Sequence, residues 1–152
     1  MKIEINNLTG HPILSRAVDK KIFSTVAKIV LKGENRKTET LSLAFVSKSE
    51  IKKLNKKFRK KNKATDVLSF ELDVPFGFAQ GKNKFLGEII ICPEVVRDNA
   101  KKYNISVKQE MTKMLIHGIL HLCGYDHEKS KKDEKIMEEK QEKYLAEINP
   151  VK

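Results

Sequence analysis

From Met114 to Leu122 the chain is apolar on nearly every side of a helix, with Leu115, Ile116, Ile119 and Leu120 interrupted by His117, Gly118 and His121. A helix with no polar face has no side to turn to water, so other elements must surround it, and the rest of the chain has to provide them. The two histidines are four positions apart. At about 3.6 residues per turn they project from one face, close enough together to grip a single ion. Gly124 follows, a residue type that takes the left-handed conformation at helix ends, and the turn it permits leads His127 back toward the same point.

Three imidazole nitrogens suit zinc or another borderline first-row ion. Three protein ligands also leave a fourth position for water or substrate, whereas a structural zinc is usually closed by a fourth side chain. One zinc ion per chain, held by His117, His121 and His127, is therefore expected. Two core histidines with satisfied hydrogen bonds would account for His117 and His121, but not for a third histidine after a glycine turn. The spacing is that of the long metalloprotease motif H-E-x-x-H-x-x-G-x-x-H, except that Gly118 occupies the position of the glutamate base. The ligand pattern is kept and the proteolytic base is missing.

A chain of 152 residues is the length of one ordinary domain, taken here as 1–152, and is long enough to bury a core without disulfide staples. Its net charge of +11 and pI near 9.6 favour a polyanionic partner such as nucleic acid, because counterion release rewards clustered lysines and arginines. Solubility alone is the plainer explanation. Cys92 and Cys123 make no disulfide framework, and the opening Met-Lys-Ile-Glu-Ile is strand-like and polar, so a cytoplasmic location is expected. No apolar run approaches the roughly 20 residues of a membrane span.

Lys2 to Leu8 alternates as a short strand, and Leu14, Val18, Ile22, Val26, Ile29 and Val30 then follow helical spacing up to Gly33, with His11 in the intervening turn as a surface residue. Thr38 to Val46 alternates as a second, largely buried strand. Ser47 and Glu50 have the spacing of a capping box, opening a helix that directs Ile51, Leu54 and Phe58 inward. Its outer side and the loop beyond carry Lys52, Lys53, Lys56, Lys57, Arg59, Lys60, Lys61 and Lys63. Thr65 to Phe70 and Phe85 to Cys92 read as the strands of a hairpin joined by a long loop from Pro75. Pro93 starts a helix, Ser106 and Gln109 cap the histidine helix, and Ser130 and Asp133 start a last helix of mixed charge. This order predicts an α+β fold: a small mixed β-sheet of about four strands with helices packed on it and the metal-binding helix central.

Taken together, these residues resemble the YbeY family of endoribonucleases and rRNA maturation factors. The signature H-G-x-L-H-L-x-G-Y-D-H runs from His117 to His127, T-D-V-L-S-F from Thr65 to Phe70, Arg59 precedes that segment, and L-G-[DE]-I-x-I-x begins at Leu86 with Glu88 where aspartate is more usual. The resemblance implies a zinc-dependent endoribonuclease directed at single-stranded RNA, acting in maturation of the small-subunit rRNA 3′ end and in ribosome quality control. It also implies partnership with rRNA and the ribosome or its small subunit, and gives Arg59 and His117 catalytic roles; a monomer is expected. A ribosome-associated assembly factor with a mainly structural metal, or a metal hydrolase of another substrate, is the alternative. Asp126 is a candidate to orient an imidazole or merely to fix its turn. Cys123 is expected in the core, and Ser69 and Glu88, on strands that can line the cleft, are expected mainly to pack.

Overall fold

Strand β1 (Lys2–Asn7), helix α1 (Lys20–Gly33), strand β2 (Glu39–Phe45), helix α2 (Lys48–Arg59), strands β3 (Val67–Phe70) and β4 (Lys84–Ile91), and helices α3 (Pro93–Tyr103), α4 (Val107–Leu122) and α5 (Lys131–Ile148) follow in that order in the computed structural model. Residues 2–9, 20–36, 39–71, 84–126, 128 and 130–148 are described. The order is the one the patterns predict, with strand ends shifted by one or two residues. The beginning of the helix expected from Leu14, the turn with His11 and the loop from Pro75 to Asn83 lie outside the described residues.

The strands form one mixed sheet in the order β1-β2-β4-β3. β1 and β2 are parallel, as are β2 and β4, while β3 runs antiparallel to β4. Alternation then assigns each residue to a face. Leu41, Leu43 and Phe45 of β2 join Ile89 and Ile91 of β4 in the larger core, under Phe23, Val26 and Val30 of α1, Leu115, Ile116 and Ile119 of α4, and Met137 and Tyr144 of α5. On the opposite face Ala44, Val46, Leu68, Ile90 and Cys92 pack with Ile51, and Leu54 and Val95 lie against them. The sheet therefore lies between α2 on one side and the α1, α4 and α5 layer on the other.

Helix α4 is central as expected, touching α1, α3, α5, β3 and β4. Met111, Leu115, Ile116, Ile119 and Leu120 are wholly buried, each contributing on the order of 1.5–3 kcal/mol by leaving water. Its start is fixed by a full capping box: Gln109 N–H donates to Ser106 Oγ at 3.0 Å, and Ser106 N–H donates to Gln109 Oε1 at 2.9 Å. At Ser47 the forward bond is present, from Glu50 N–H to the serine oxygen at 3.3 Å.

At Gly118 α4 lies tight against the sheet. A Cβ there would meet Ile89 Cγ2 at 3.0 Å and Ser69 Oγ at 3.2 Å. The residue that stands in for the protease glutamate thus faces buried strands, where a carboxylate side chain has no room.

One expectation fails. Ile51 is fully buried, but Phe58, two turns later, is 54% exposed. The strand beneath is short, and its last residue, Phe70, meets Phe58 edge-on with ring centroids 5.2 Å apart.

Candidate active site

β3 is an edge strand, and a cleft of about 550 Å³ opens along it between the end of α2 and the second half of α4. Asn55, Arg59, Lys61 and Lys63 line one side, Thr65 to Ser69 the base, and His117, His121, Asp126 and Glu128 the other side. Arg59, His117 and His121 are therefore brought together, although they come from helices on opposite faces of the sheet. His127 lies outside the described residues, while Asp126 and Glu128 on either side of it both line the cleft.

The turn after the histidine helix forms as its glycine predicts. Gly124, at φ 105°, follows the helix end, its N–H donating to His121 O at 3.1 Å while Tyr125 N–H donates to Leu120 O at 3.1 Å. This crossed pair satisfies carbonyls that the last turn would otherwise leave open. A non-glycine residue would be strained at this φ, although a Cβ there would meet no neighbour within 4 Å.

His117 and His121 are half-buried. His117 Nδ1 lies 3.2 Å from Gln141 Oε1 on α5. With a carbonyl oxygen as acceptor, Nδ1 carries the proton and Nε2 has the lone pair, the tautomer in which an imidazole held by an outer acceptor can bind a metal. Among the described residues no group of three His, Cys, Asp or Glu side chains is placed to hold an ion. The two described imidazoles, one turn apart in a polar cleft, are donors of the kind a borderline cation takes.

Arg59 is the last residue of α2, and Lys60 behind it takes the left-handed conformation at φ 59°. The arginine's Nη2 donates to Ser69 O at 2.7 Å, and its guanidinium carbon lies 5.6 Å from the Phe70 ring centroid. The following loop is anchored by the buried Asn55, whose Nδ2 donates to Lys63 O at 2.9 Å. Ser69 also ties the cleft to α4, its Oγ donating to Gly118 O at 3.3 Å.

The remaining candidates divide. Asp126 lines the cleft, and its Oδ1 accepts from Glu128 N–H at 2.8 Å. Glu88 is paired on the sheet, accepting from Ser42 Oγ at 3.1 Å, and does not line the cleft. Cys123 packs against the main core, as expected. Asp66, at the base of the cleft, accepts from Val67 N–H at 2.8 Å and from Asn99 Nδ2 at 3.4 Å.

Sequence reasoning missed the support behind the histidines. Gln141 is embedded in a charged helix that reads as an exposed face. On the same helix, Lys140 and Tyr144 meet Glu34 from the turn after α1: Lys140 Nζ is 3.4 Å from Glu34 Oε2, and the Tyr144 hydroxyl donates to that oxygen. The Tyr125 hydroxyl donates to Glu34 Oε1 at 2.7 Å. Burial alone would raise the Glu34 pKa, but the two hydroxyls and the ammonium outweigh it and hold the carboxyl below its ordinary range. Burial and this same carboxylate push Tyr144 up. One buried carboxylate thus clamps α5, which carries Gln141, and the turn that leads to His127. Tyr125 and Glu34 are 91 positions apart, too far for any local pattern to signal the pair.

The profile described as Endoribonuclease YbeY matches residues 4–149. The Endoribonuclease YbeY of Thermotoga neapolitana is 40% identical over 139 residues, covering 90% of this chain and 87% of the relative. That of Finegoldia magna is 40% identical over 148 residues, covering 97% and 94%. A solution structure of a Thermotoga maritima protein superposes with a TM-score of 0.64 at 35% identity, over 97% of this chain and 89% of the other.

Proposed function

The chain belongs to the YbeY family of endoribonucleases, and from that premise we propose that it is a zinc-dependent nuclease cutting single-stranded RNA. Its setting in this reading is the cytoplasm, in maturation of the small-subunit rRNA 3′ end and in ribosome quality control, with rRNA and the small subunit as partners. The observation that carries the reading is the meeting of Arg59, His117 and His121 in one cleft with Lys61 and Lys63 on its rim.

His117, His121 and His127 would hold the zinc ion, which when bound supplies Lewis-acid polarisation of a phosphoryl oxygen and acidifies water. The chain's own groups do the rest. Arg59, steadied by the Ser69 carbonyl, has further N–H donors in a planar fork matched to a phosphate, and stabilises the charge that builds on the non-bridging oxygens as phosphorus becomes pentacoordinate. Lys61 and Lys63 draw the polyanion in. Gln141 holds the His117 ring at a fixed tilt, so its other nitrogen is aimed before any ligand arrives. A glutamate base of the protease kind has no place, because position 118 faces the sheet.

The deciding experiment incubates purified protein with a single-stranded RNA oligonucleotide, with and without chelator, beside the His121→Ala variant. Cleavage that is lost on chelation and absent from the variant, together with loss of stoichiometric zinc by metal analysis, is expected. Tight salt-dependent binding without cleavage would instead make the protein an assembly factor, and unchanged zinc in the variant would remove His121 from the ligand set.

A further inference from the structure

Phe58 lies within a run, Lys52 to Lys63, that contains no acidic residue, and the flanking acids are as far off as Glu50 and Asp66. The residue is 54% exposed. Behind it Phe70 packs edge-on, with an interplanar angle of 64°, and Lys57 Nζ lies 5.3 Å from the Phe58 centroid. The next residue, Arg59, lines the cleft and places its guanidinium 5.6 Å from the same Phe70 ring. An aromatic surface propped by a second ring, bordered by cations and adjoining a phosphate-directed arginine is chemically complementary to a nucleotide. Phosphates meet the cations, and a base has a π-face for the ring. A duplex hides its base faces in its own stack, so the ligand is a single strand.

We propose that Phe58, braced by Phe70, is a stacking platform for a nucleobase of single-stranded RNA, next to the phosphate held by Arg59. The assignment rests on the nuclease reading and adds to it a subsite for a base. Stacking of this kind tolerates any base, so it confers a preference for unpaired strands over paired ones without reading sequence.

The test is binding of a single-stranded 2′-O-methyl oligonucleotide, its integrity checked on a gel, to the full-length protein and to Phe58→Leu, which keeps apolar bulk and removes the π-face. Phe58→Leu is expected to weaken binding by about 5- to 150-fold, the range of one lost base stack, while thermal unfolding shows the fold retained. Because the chain has three tyrosines and no tryptophan, Phe58→Trp introduces a single tryptophan at the platform, which is excited selectively at wavelengths the tyrosines do not absorb. Its emission should be quenched by the oligonucleotide and not by a fully abasic strand of the same length. Equal affinities for the wild type and Phe58→Leu, or quenching as strong with the abasic strand, would overturn the platform while leaving the nuclease reading intact. Failure of the wild type to bind any single strand would overturn the nuclease reading itself.

Discussion

Among the described residues Arg59 is tied to a backbone carbonyl of the edge strand and not to a carboxylate, so removing it leaves no described buried charge unpaired and the fold should tolerate its loss. Arg59→Ala is expected to lower RNA cleavage by about 10² to 10³, as when one charge-stabilising donor is removed, with zinc content unchanged; cleavage at the original rate would reduce Arg59 to a surface residue. Two buried glutamates give opposite pH signatures. Glu34 has its folded pKa lowered from 4.5, so its stabilisation is present above that value and lost as pH falls through the folded one. Glu110 is 1% exposed, with Oε2 lacking a hydrogen-bond partner among the described residues, and burial raises its pKa. Ionising it in the folded protein therefore costs stability as pH rises above 4.5. Glu34→Gln should destabilise at neutral pH by about 1–3 kcal/mol, and Glu110→Gln should stabilise by about 1 kcal/mol. Both differences should shrink on acidification, as read from urea midpoints between about pH 3 and 8.

Among the elements, α4 and its contact with the sheet decide whether a site exists. Gly118→Glu would drive a charged side chain into Ile89 and Ser69 and is expected to cost more than about 3 kcal/mol, through overpacking and a buried unpaired charge. Urea denaturation measures this, and a variant as stable as the wild type would show that α4 can lift from the strands. That helix was legible from sequence because its features are local: apolar on all sides, a capping box at Ser106 and a glycine at its end. The strands were legible from alternation. Phe58 was misplaced because its spacing from Ile51 carries no information about where β3 ends, and that strand runs out at Phe70. Gln141 and Glu34 carry no sequence signal for a related reason: their partners lie 24 to 110 positions away, and a buried polar contact leaves no periodic mark on either partner's own segment. Arg59 had no local signal beyond its difference from the surrounding lysines, and only the resemblance singled it out.

For the molecule as a whole, the net charge of +11 is a statement about association and not about architecture. With about four phosphates neutralised, the affinity for a single-stranded oligonucleotide should fall roughly 50-fold between about 50 and 200 mM salt, a log–log slope near −3. A flat response in a salt titration would mean that the basic run of α2 does not touch the strand. No described helix is long and apolar enough to cross a membrane. Ser69 joins the two sides of the molecule, taking the arginine on its carbonyl and reaching the histidine helix through its hydroxyl. One β-residue at the base of the cleft is thus bonded to both of its sides. Moving either side away from this strand breaks one of those two hydrogen bonds, at a cost of about 1 kcal/mol each.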